Sequence, residues 1–251
     1  MFPLRDDNPK LLFPYATLLL ITLTLTAWFL LQGAGSEPQL SASVCTLGLI
    51  AGELLQQLPP GTSLQIGPQL YCVMDDIPDW YTMLTYMFMH GGWMHLLGNL
   101  WFLWVFGRSV EDSMGPFRFI SFYLICGLAA AALQVAFAPA SAVPLVGASG
   151  AIGGVMGAYL MLYPKVRVTM LIFLLIFITT IRIPAMFMLV YWLLLQFLGG
   201  LNSIGSDVGG VAFWAHVGGF VTGALLIWLW IKPELLRQHP YYGWSKTSRE
   251  S

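Results

Sequence analysis

The stretch that decides the fold is PLVGASGAIGGVMGAYL, which runs from Pro144 to Leu160. It consists almost wholly of Gly, Ala and aliphatic residues, and the next charged residue after it is Lys165. Its polar exception is Ser149, which stands between Gly147 and Gly150. A polar group in hydrocarbon costs on the order of a few kcal/mol unless it is paired. A lone serine at the mouth of an apolar segment therefore needs a partner or a chemical role.

The composition of the whole chain is that of a membrane protein. Its 251 residues are 57 % hydrophobic and 9 % charged, with a mean hydropathy of +0.73. A soluble domain carries about a quarter charged residues. Apolar runs recur along the whole length, so we predict an all-α polytopic membrane protein that forms a single domain over residues 1–251. The net charge of −1 does not point to any class of partner.

Six apolar runs are long enough to cross roughly 30 Å of hydrocarbon as helices. The predicted spans are 11–31, 87–106, 117–137, 146–163, 184–201 and 211–231, with a long outer loop at 32–86. The first run is longer than the 7–15 residues of a signal-peptide core, so we interpret it as a retained helix. A further run, Val168–Ile181, has 14 residues, a length typical of re-entrant or interfacial segments.

The charged residues orient these spans. With both termini in the cytoplasm, all 11 basic residues fall on the inner side: Arg5, Lys10, Arg108, Arg118, Lys165, Arg167, Arg182, Lys232, Arg237, Lys246 and Arg249. The outer loops then carry acids: Glu37, Glu53, Asp75, Asp76, Asp79 and Asp207. This asymmetry matches the positive-inside rule. A seventh span at Val168–Ile181 would move the basic tail outside, so six spans fit better.

Two features of the outer loop lead to further expectations. Apolar residues recur at helical spacing before two prolines: Leu47, Ile50, Leu54 and Leu58. This pattern predicts an amphipathic helix lying on the outer leaflet. Cys45 and Cys72 both lie on the oxidising side, where a disulfide and two unpaired thiols are equally compatible with the sequence.

The polar residues within the spans form a candidate catalytic set. His95 and Asn99 are one helical turn apart on the second span, and Ser149 opens the fourth. His216 lies about five residues, or roughly 8 Å, into the sixth span. A serine hydroxyl becomes a useful nucleophile when a neighbouring imidazole accepts its proton. We therefore predict that Ser149 and His216 form a dyad, with His95 and Asn99 as oxyanion donors.

Glycines explain how the fourth and sixth spans could meet. Gly153 and Gly157 follow Ser149 on nearly one stripe, and Gly219 and Gly223 share a face with His216. Small residues at this spacing let two helix backbones approach closely in lipid. The two glycine stripes predict that these helices pack together and bring the serine to the histidine.

The three motifs, taken in order, resemble those of the rhomboid intramembrane serine proteases. They are H-x4-H-x3-N from His90, G-x-S-G around Ser149 and A-H-x2-G-x3-G around His216. The resemblance covers the six-helix core from about Tyr71 to Ile231. It implies a Ser-His dyad, oxyanion donors at the two second-span positions, and a histidine at position 90 that braces the first loop. It also implies cleavage of transmembrane helices near their outer end and a mobile fifth helix that admits the substrate.

The chain departs from the family pattern at two places. Some rhomboids have an aromatic residue four positions after the serine, stacked on the catalytic imidazole, whereas Gly153 stands there in this chain. Many relatives have a Trp-Arg pair in the first loop, and the matching stretch here reads Trp80-Tyr81-Thr82. The first departure leaves the orientation of the imidazole unexplained, and the second concerns anchoring of the loop.

Other functions fit the sequence less well. A zinc protease needs H-E-x-x-H, and an aspartyl protease needs paired carboxylates within the spans. A transporter needs polar sites at mid-membrane on several helices. The alternative that stays open is a catalytically inactive rhomboid-like adaptor that binds transmembrane clients. We expect transmembrane protein substrates and membrane lipid as partners, no nucleic acid, metal or cofactor, and a bacterial inner membrane as the location.

Overall fold

The computed structural model describes residues 2–67, 70–174, 177–203 and 212–240. The elements of the first half are β1 (Phe2–Asp6), α1 (Tyr15–Leu30), α2 (Gln39–Leu47), α3 (Ala51–Leu54), β2 (Ser63–Gln65), β3 (Tyr71–Val73), α4 (Thr82–Thr85), α5 (Trp93–Phe102) and α6 (Arg108–Met114). Those of the second half are α7 (Pro116–Phe137), α8 (Ser149–Leu162), β4 (Arg167–Leu174), β5 (Phe177–Pro184), α9 (Ala185–Ser203), α10 (Phe213–Trp230) and α11 (Pro233–Leu236). The predicted start of the sixth span at Val211, the loop residue Asp207 and the tail residues Lys246 and Arg249 lie outside the described residues.

Helices α1, α7, α8, α9 and α10 each occupy one predicted apolar run. The second span differs from its predicted bounds of 87–106, because the helix begins only at Trp93 and continues through α5, a π-helical turn at Leu103–Gly107 and α6 to Met114. Within the described residues, α7, α9 and α10 are long and apolar enough to cross a membrane, while α1 and α8 are shorter apolar helices. The mainly helical character of the fold is therefore confirmed. The count of six spans and the placement of the termini stay predictions.

The expectation of an all-α fold is wrong in detail, because two small sheets accompany the helices. Strands β4 and β5 form an antiparallel hairpin, and β1 pairs antiparallel with β4 from the other side. This hairpin contains the ambiguous run Val168–Ile181. Its β-branched and aromatic residues favour extended backbone, and the strand at the chain's start supplies a second set of backbone hydrogen bonds. The run thus forms strands that pair with the amino-terminal segment.

The outer loop also differs from its prediction. The helix expected across Leu47 to Leu58 is interrupted, since α2 ends at Leu47 and α3 covers only Ala51–Leu54. Between them Leu49 forms a two-way backbone bridge with Leu145, with N···O distances of 3.0 and 2.8 Å. The apolar side chains of this region, including Ile50 and Leu54, are buried in the protein and do not form one face of a surface helix.

A disulfide joins Cys45 of α2 to Cys72 of β3, so the structure selects one of the two states that the sequence left open. Cys72 is fully buried, and it packs with Ile50 and Met74 in a small apolar core separate from the main one. Strands β2 and β3 pair antiparallel, so the bridge ties helix α2 to this two-stranded sheet of the outer loop.

At the end of the bundle opposite Ser149, buried acids hold the chain's start against the helices. Asp6 accepts hydrogen bonds from Lys10, Ser109 and Tyr159. Glu111 accepts from the backbone N–H groups of Ala16 and Thr17, both at 2.8 Å, and from the Thr17 hydroxyl at 2.7 Å. We call the set around these two acids the lower cluster: Asp6, Lys10, Thr17, Ser109, Glu111, Asp112 and Tyr159. Because Glu111 satisfies donors at the start of α1, it fixes that helix to α6.

Candidate active site

Ser149 and His216 meet at one end of the helix bundle. Ser149 is the first residue of α8, and His216 lies in the first turn of α10. The Nε2 atom of His216 is 2.7 Å from the Oγ atom of Ser149, and both side chains are half-buried. The contact is a hydrogen bond. Its length is suitable for transfer of the hydroxyl proton of the serine to the imidazole.

The glycines of α8 and α10 allow this contact. A Cβ atom on Gly219 would overlap the carbonyl oxygen of Gly150, and one on Gly223 would overlap that of Gly154. On α8, a Cβ on Gly157 would overlap the carbonyl oxygen of Phe220. The two helices therefore touch backbone to backbone along this line, which holds their amino-terminal ends in register.

Gly150 and Gly154, which the sequence analysis did not single out, form the α8 half of these contacts. Each provides the carbonyl that a glycine of α10 rests against. Gly154 also packs against α7, since a Cβ there would lie 2.5 Å from the Sγ atom of Cys126. Their signal was present in the sequence, because they fall four residues apart in the same Gly-rich stretch.

His95 and Asn99 lie on α5 and face the residues just before Ser149. A Cβ on Gly147 would lie 2.6 Å from Nε2 of His95 and 3.4 Å from Nδ2 of Asn99. Gly147 has a φ of +117°, which disfavours any other residue, and its N–H donates to the carbonyl of Tyr86 at 2.9 Å. The chain thus reaches Ser149 through a glycine turn that passes directly under both α5 side chains.

The donors of these two side chains have different surroundings. The Nδ1 atom of His95 accepts a long hydrogen bond of 3.4 Å from the N–H of Gly91, which leaves Nε2 as the nitrogen that carries the proton. The Nδ2 atom of Asn99 is buried and has no hydrogen-bond partner among the described residues. A buried amide donor without an acceptor is costly, and a negatively charged oxygen near Ser149 would supply one.

His90 is completely buried beside this group. Its backbone exchanges two hydrogen bonds of 2.8 Å with the side-chain amide of Gln32, and Gln32 also donates to Ser43 at 3.2 Å. Its ring lies edge-on to the ring of His95, with centroids 5.1 Å apart. His90 therefore connects the start of the outer loop to the loop before α5 and packs against a candidate oxyanion donor.

The imidazole of His216 has a second partner that the sequence analysis missed. The Nδ1 atom of His216 is 2.7 Å from the Oε1 atom of Gln196 on α9. One turn earlier on α9, the Trp192 ring lies with its centroid 5.6 Å from that of the imidazole. Gln196 is an amide in the middle of α9, among apolar residues, whereas Asn202 and Ser203 lie in the last turn of that helix. A polar residue in such a place signals a polar partner inside the membrane.

The surroundings of both departures from the motif pattern are defined. A Cβ on Gly153 would lie 3.0 Å from the carbonyl oxygen of His216, so a larger residue there would push α8 and α10 slightly apart. In the first loop, the hydroxyl of Tyr81 donates to Asp79 at 2.9 Å, and its oxygen lies 3.1 Å from the carbonyl oxygen of Thr46. The Thr82 hydroxyl donates to the Asp79 carbonyl at 2.6 Å. These hydrogen bonds anchor the loop without an arginine.

Across the ranges that the structure describes, no three His, Cys, Asp or Glu side chains lie close enough to hold a metal ion.

Comparison with known proteins identifies the family to which this chain belongs. The Rhomboid domain family matches residues 78–233, which include α5 to α10 and every candidate site residue. Rhomboid-like protein 11, chloroplastic, from Arabidopsis thaliana is 42 % identical over 79 residues, covering 32 % of this chain and 28 % of the relative. The rhomboid protease GluP from Bacillus subtilis is 39 % identical over 82 residues, covering 33 % and 16 %.

A longer match extends over most of the chain. Rhomboid protein 1, mitochondrial, from Saccharomyces cerevisiae is 24 % identical over 238 residues, covering 78 % of this chain and 65 % of the relative. These matches therefore span between 16 and 65 % of the relatives' own lengths. The relatives come from bacteria and from eukaryotes, and the names of two place them in chloroplasts and mitochondria. Since the family domain covers more than half of its length, the chain belongs to the rhomboid family of multi-pass membrane proteins.

Proposed function

We propose that this protein is an intramembrane serine endopeptidase that uses Ser149 as nucleophile and His216 as general base. The observation that carries the proposal is the 2.7 Å hydrogen bond between Ser149 Oγ and His216 Nε2 at the adjoining ends of two packed helices. The name of the B. subtilis relative, a rhomboid protease, agrees with this activity.

The proposed reaction begins when Ser149 Oγ attacks the carbonyl carbon of the scissile peptide and Nε2 of His216 accepts the hydroxyl proton. The carbonyl oxygen becomes negatively charged and accepts hydrogen bonds from Asn99 Nδ2 and His95 Nε2. The C–N bond then breaks, and the amine leaves with the proton from His216. Water hydrolyses the acyl ester on Ser149 with the same imidazole as base.

The proposed substrates are transmembrane helices, cut near their outer ends. The backbone of such a helix is fully hydrogen-bonded in lipid, so a peptide bond must be unwound before Ser149 can reach it. Helix-weakening residues such as Gly or Pro near the cleavage point lower the cost of this unwinding. We therefore expect such substrates to be cut faster than matched helices with leucine at those positions.

The six-span topology with both termini in the cytoplasm is part of the same proposal. It is supported by the basic residues, all of which fall on one side under this arrangement. In that orientation Ser149 lies near the outer face and the lower cluster near the inner face. Labelling of single-cysteine variants at Ser141 and Glu234 from either side of the membrane tests it, with Ser141 expected to react from outside.

The activity is tested with the purified full chain in liposomes and a model transmembrane substrate. The Ser149→Ala variant should lower the cleavage rate by about 10³-fold or more, since the nucleophile is lost. Ser141→Ala is the matched control, because Ser141 lies in an outer turn where its Oγ only accepts a hydrogen bond from Val143 N. Equal cleavage by the wild type and Ser149→Ala would contradict the proposal. A wild type that binds the helix without cutting it would instead support the inactive adaptor.

A further inference from the structure

The two ring nitrogens of His216 are held by side chains from two different helices. Nε2 contacts Ser149 on α8, and Nδ1 contacts Oε1 of Gln196 on α9, each at 2.7 Å. A neutral imidazole has one donor and one acceptor nitrogen. The amide oxygen of Gln196 accepts a hydrogen bond, so it holds the proton on Nδ1 and leaves the lone pair of Nε2 facing Ser149. That is the form of the ring that can act as a base toward the serine.

The same helix also fixes the plane of the ring. Trp192 lies one turn before Gln196. Its ring centroid is 5.6 Å from that of His216 and 6.1 Å from that of Phe220. Gly153 offers no side chain to His216 from α8. Among the described residues, the side-chain contacts that orient this ring on its Nδ1 side therefore come from α9.

From these contacts we propose that Gln196 is a positioning residue for His216, and that α9 must be packed against α10 for the imidazole to be aligned for catalysis. The inference rests on the proposed function and assigns to α9 a part in the chemical step itself. A serine protease triad uses a carboxylate for this purpose. In this chain a neutral amide does so, which avoids burying an additional charge in the membrane.

This dependence would couple the chemical step to any movement of α9, which is packed less deeply than α8. Four of its 19 residues are buried, Ala185, Met188, Leu189 and Gly200, whereas α8 is buried along nearly its whole length. Its upper half rests on α10 where Gly199 faces Phe213 and Gly200 faces Trp214. If α9 moves outward to admit a substrate, the bond from Gln196 to Nδ1 is lost. The enzyme would then be reactive only after α9 has returned, which protects bystander peptides while the site is open.

A purely structural role for Gln196 is the alternative, in which the amide only satisfies a buried histidine. The two roles differ in what they change. Loss of a positioning residue slows every reaction that needs the base, including attack on a small reagent that reaches the site from water. Loss of a packing residue, or of a contact that controls substrate access, changes stability or KM and leaves the reaction of a small reagent with Ser149 as it was.

The experiment compares Gln196→Leu and Gln196→Glu with the wild type and with Gln134→Leu as a control, using the full chain. Gln134 of α7 accepts a hydrogen bond of 3.2 Å from the N–H of Ala215, so it supports the residue next to His216 through the backbone and not through the ring. For each variant we would measure the rate at which a small fluorophosphonate labels Ser149, the kcat and KM for a transmembrane substrate, the pH–rate profile and the thermal midpoint.

We expect Gln196→Leu to lower kcat and the labelling rate by the same factor, about 10- to 100-fold, with KM unchanged. Gln196→Glu should recover much of both rates, because its oxygen accepts the same N–H. It should also move the acid limb of the pH–rate profile to higher pH, since a carboxylate stabilises the imidazolium that must lose its proton first. Gln134→Leu should lower the thermal midpoint and leave the pH–rate profile unchanged.

The inference is overturned if Gln196→Leu labels and cleaves at the wild-type rate, if only its KM changes, or if Gln196→Glu recovers nothing. Each of these results leaves the proposed protease activity intact, because the wild type still reacts at Ser149. A wild type that neither cleaves nor labels at Ser149 overturns the proposed function, and the inference with it.

Discussion

The two ends of the helix bundle both contain polar side chains in tight contact, yet they are organised in opposite ways. In the lower cluster, Asp6 and Glu111 each accept hydrogen bonds from three separate donor groups, and Asp112 accepts two from the backbone of Leu11 and Leu12. At the other end, Asn99 keeps a buried donor without a partner in the described part of the chain, and Ser149 is half-exposed. The three acids of the lower cluster thus hold chain segments together, whereas the donor of Asn99 stays open toward the residues that precede Ser149.

The comparison also separates what each end contributes to the protein. The lower cluster joins the amino-terminal strand, α1, α6 and α8, so its loss should affect folding first. The site end joins α5, α8, α9 and α10 around one imidazole, so its loss should affect the rate first. Substitutions at matched positions can test this division.

The largest effect on stability is expected from Glu111→Ala. It leaves the N–H groups of Ala16 and Thr17 and the Thr17 hydroxyl without their acceptor, at a cost of about 3–5 kcal/mol in the free energy of unfolding. Thermal unfolding in detergent measures it, and activity per folded molecule should stay within about twofold. Glu234→Ala is the control, since Glu234 is exposed on α11. Equal stability of the two variants would refute the assignment of the lower cluster to folding.

The next largest effect is expected from Asn99→Ala, which should raise the activation free energy of cleavage without a stability cost. Loss of one oxyanion donor should lower kcat by about 10²- to 10³-fold, or roughly 2.7–4 kcal/mol, with no loss of thermal stability because Nδ2 has no partner to give up. Asn8→Ala is the matched control, because Asn8 is also a buried asparagine and stands between Asp6 and Lys10 at the other end of the bundle. If Asn99→Ala kept the wild-type kcat, as Asn8→Ala should, Asn99 would not be an oxyanion donor.

The smallest effect on stability is expected from Gly219→Ala. Gly219 lies on the line of glycines along which α8 and α10 touch, between the two ends of the bundle. In Gly219→Ala the new methyl group would overlap the Gly150 carbonyl, and the helices must separate at a cost of about 1–3 kcal/mol. Both stability and kcat should fall, because the shift carries His216 away from Ser149. Gly98→Ala on α5 is the control, since nothing lies within 4 Å of a Cβ there. A loss of stability with unchanged kcat would show that this line does not position the pair.

How much could be predicted from the sequence follows from how local each signal is. The spacing of His95 and Asn99, and the glycine stripes beside Ser149 and His216, are periodic patterns on single helices, and the residues they mark lie together in the structure. Gln196 belongs to no periodic pattern on its helix. An amide among apolar helix residues indicates that a polar partner exists but does not identify it. The partner of Gln196 is His216, 20 positions away in the chain.

The misjudged regions have a common cause as well. The hairpin of β4 and β5 depends on pairing with β1, more than 160 residues earlier, which no local pattern in Val168–Ile181 reveals. The break between α2 and α3 depends on the backbone bridge from Leu49 to Leu145. The acids of the lower cluster belong to no sequence motif, because their hydrogen bonds run to a distant helix start that the local sequence does not reveal. In each case a long-range contact overrides the local preference.

The central claim is that the imidazole of His216 activates the hydroxyl of Ser149. The most direct test is to incubate the purified chain with a fluorophosphonate and to map the adduct by mass spectrometry in the wild type, Ser149→Ala and His216→Ala. We expect one adduct on the wild-type protein, located at Ser149, and none on either variant. An adduct at another residue, or labelling of Ser149 at the wild-type rate without His216, would contradict it.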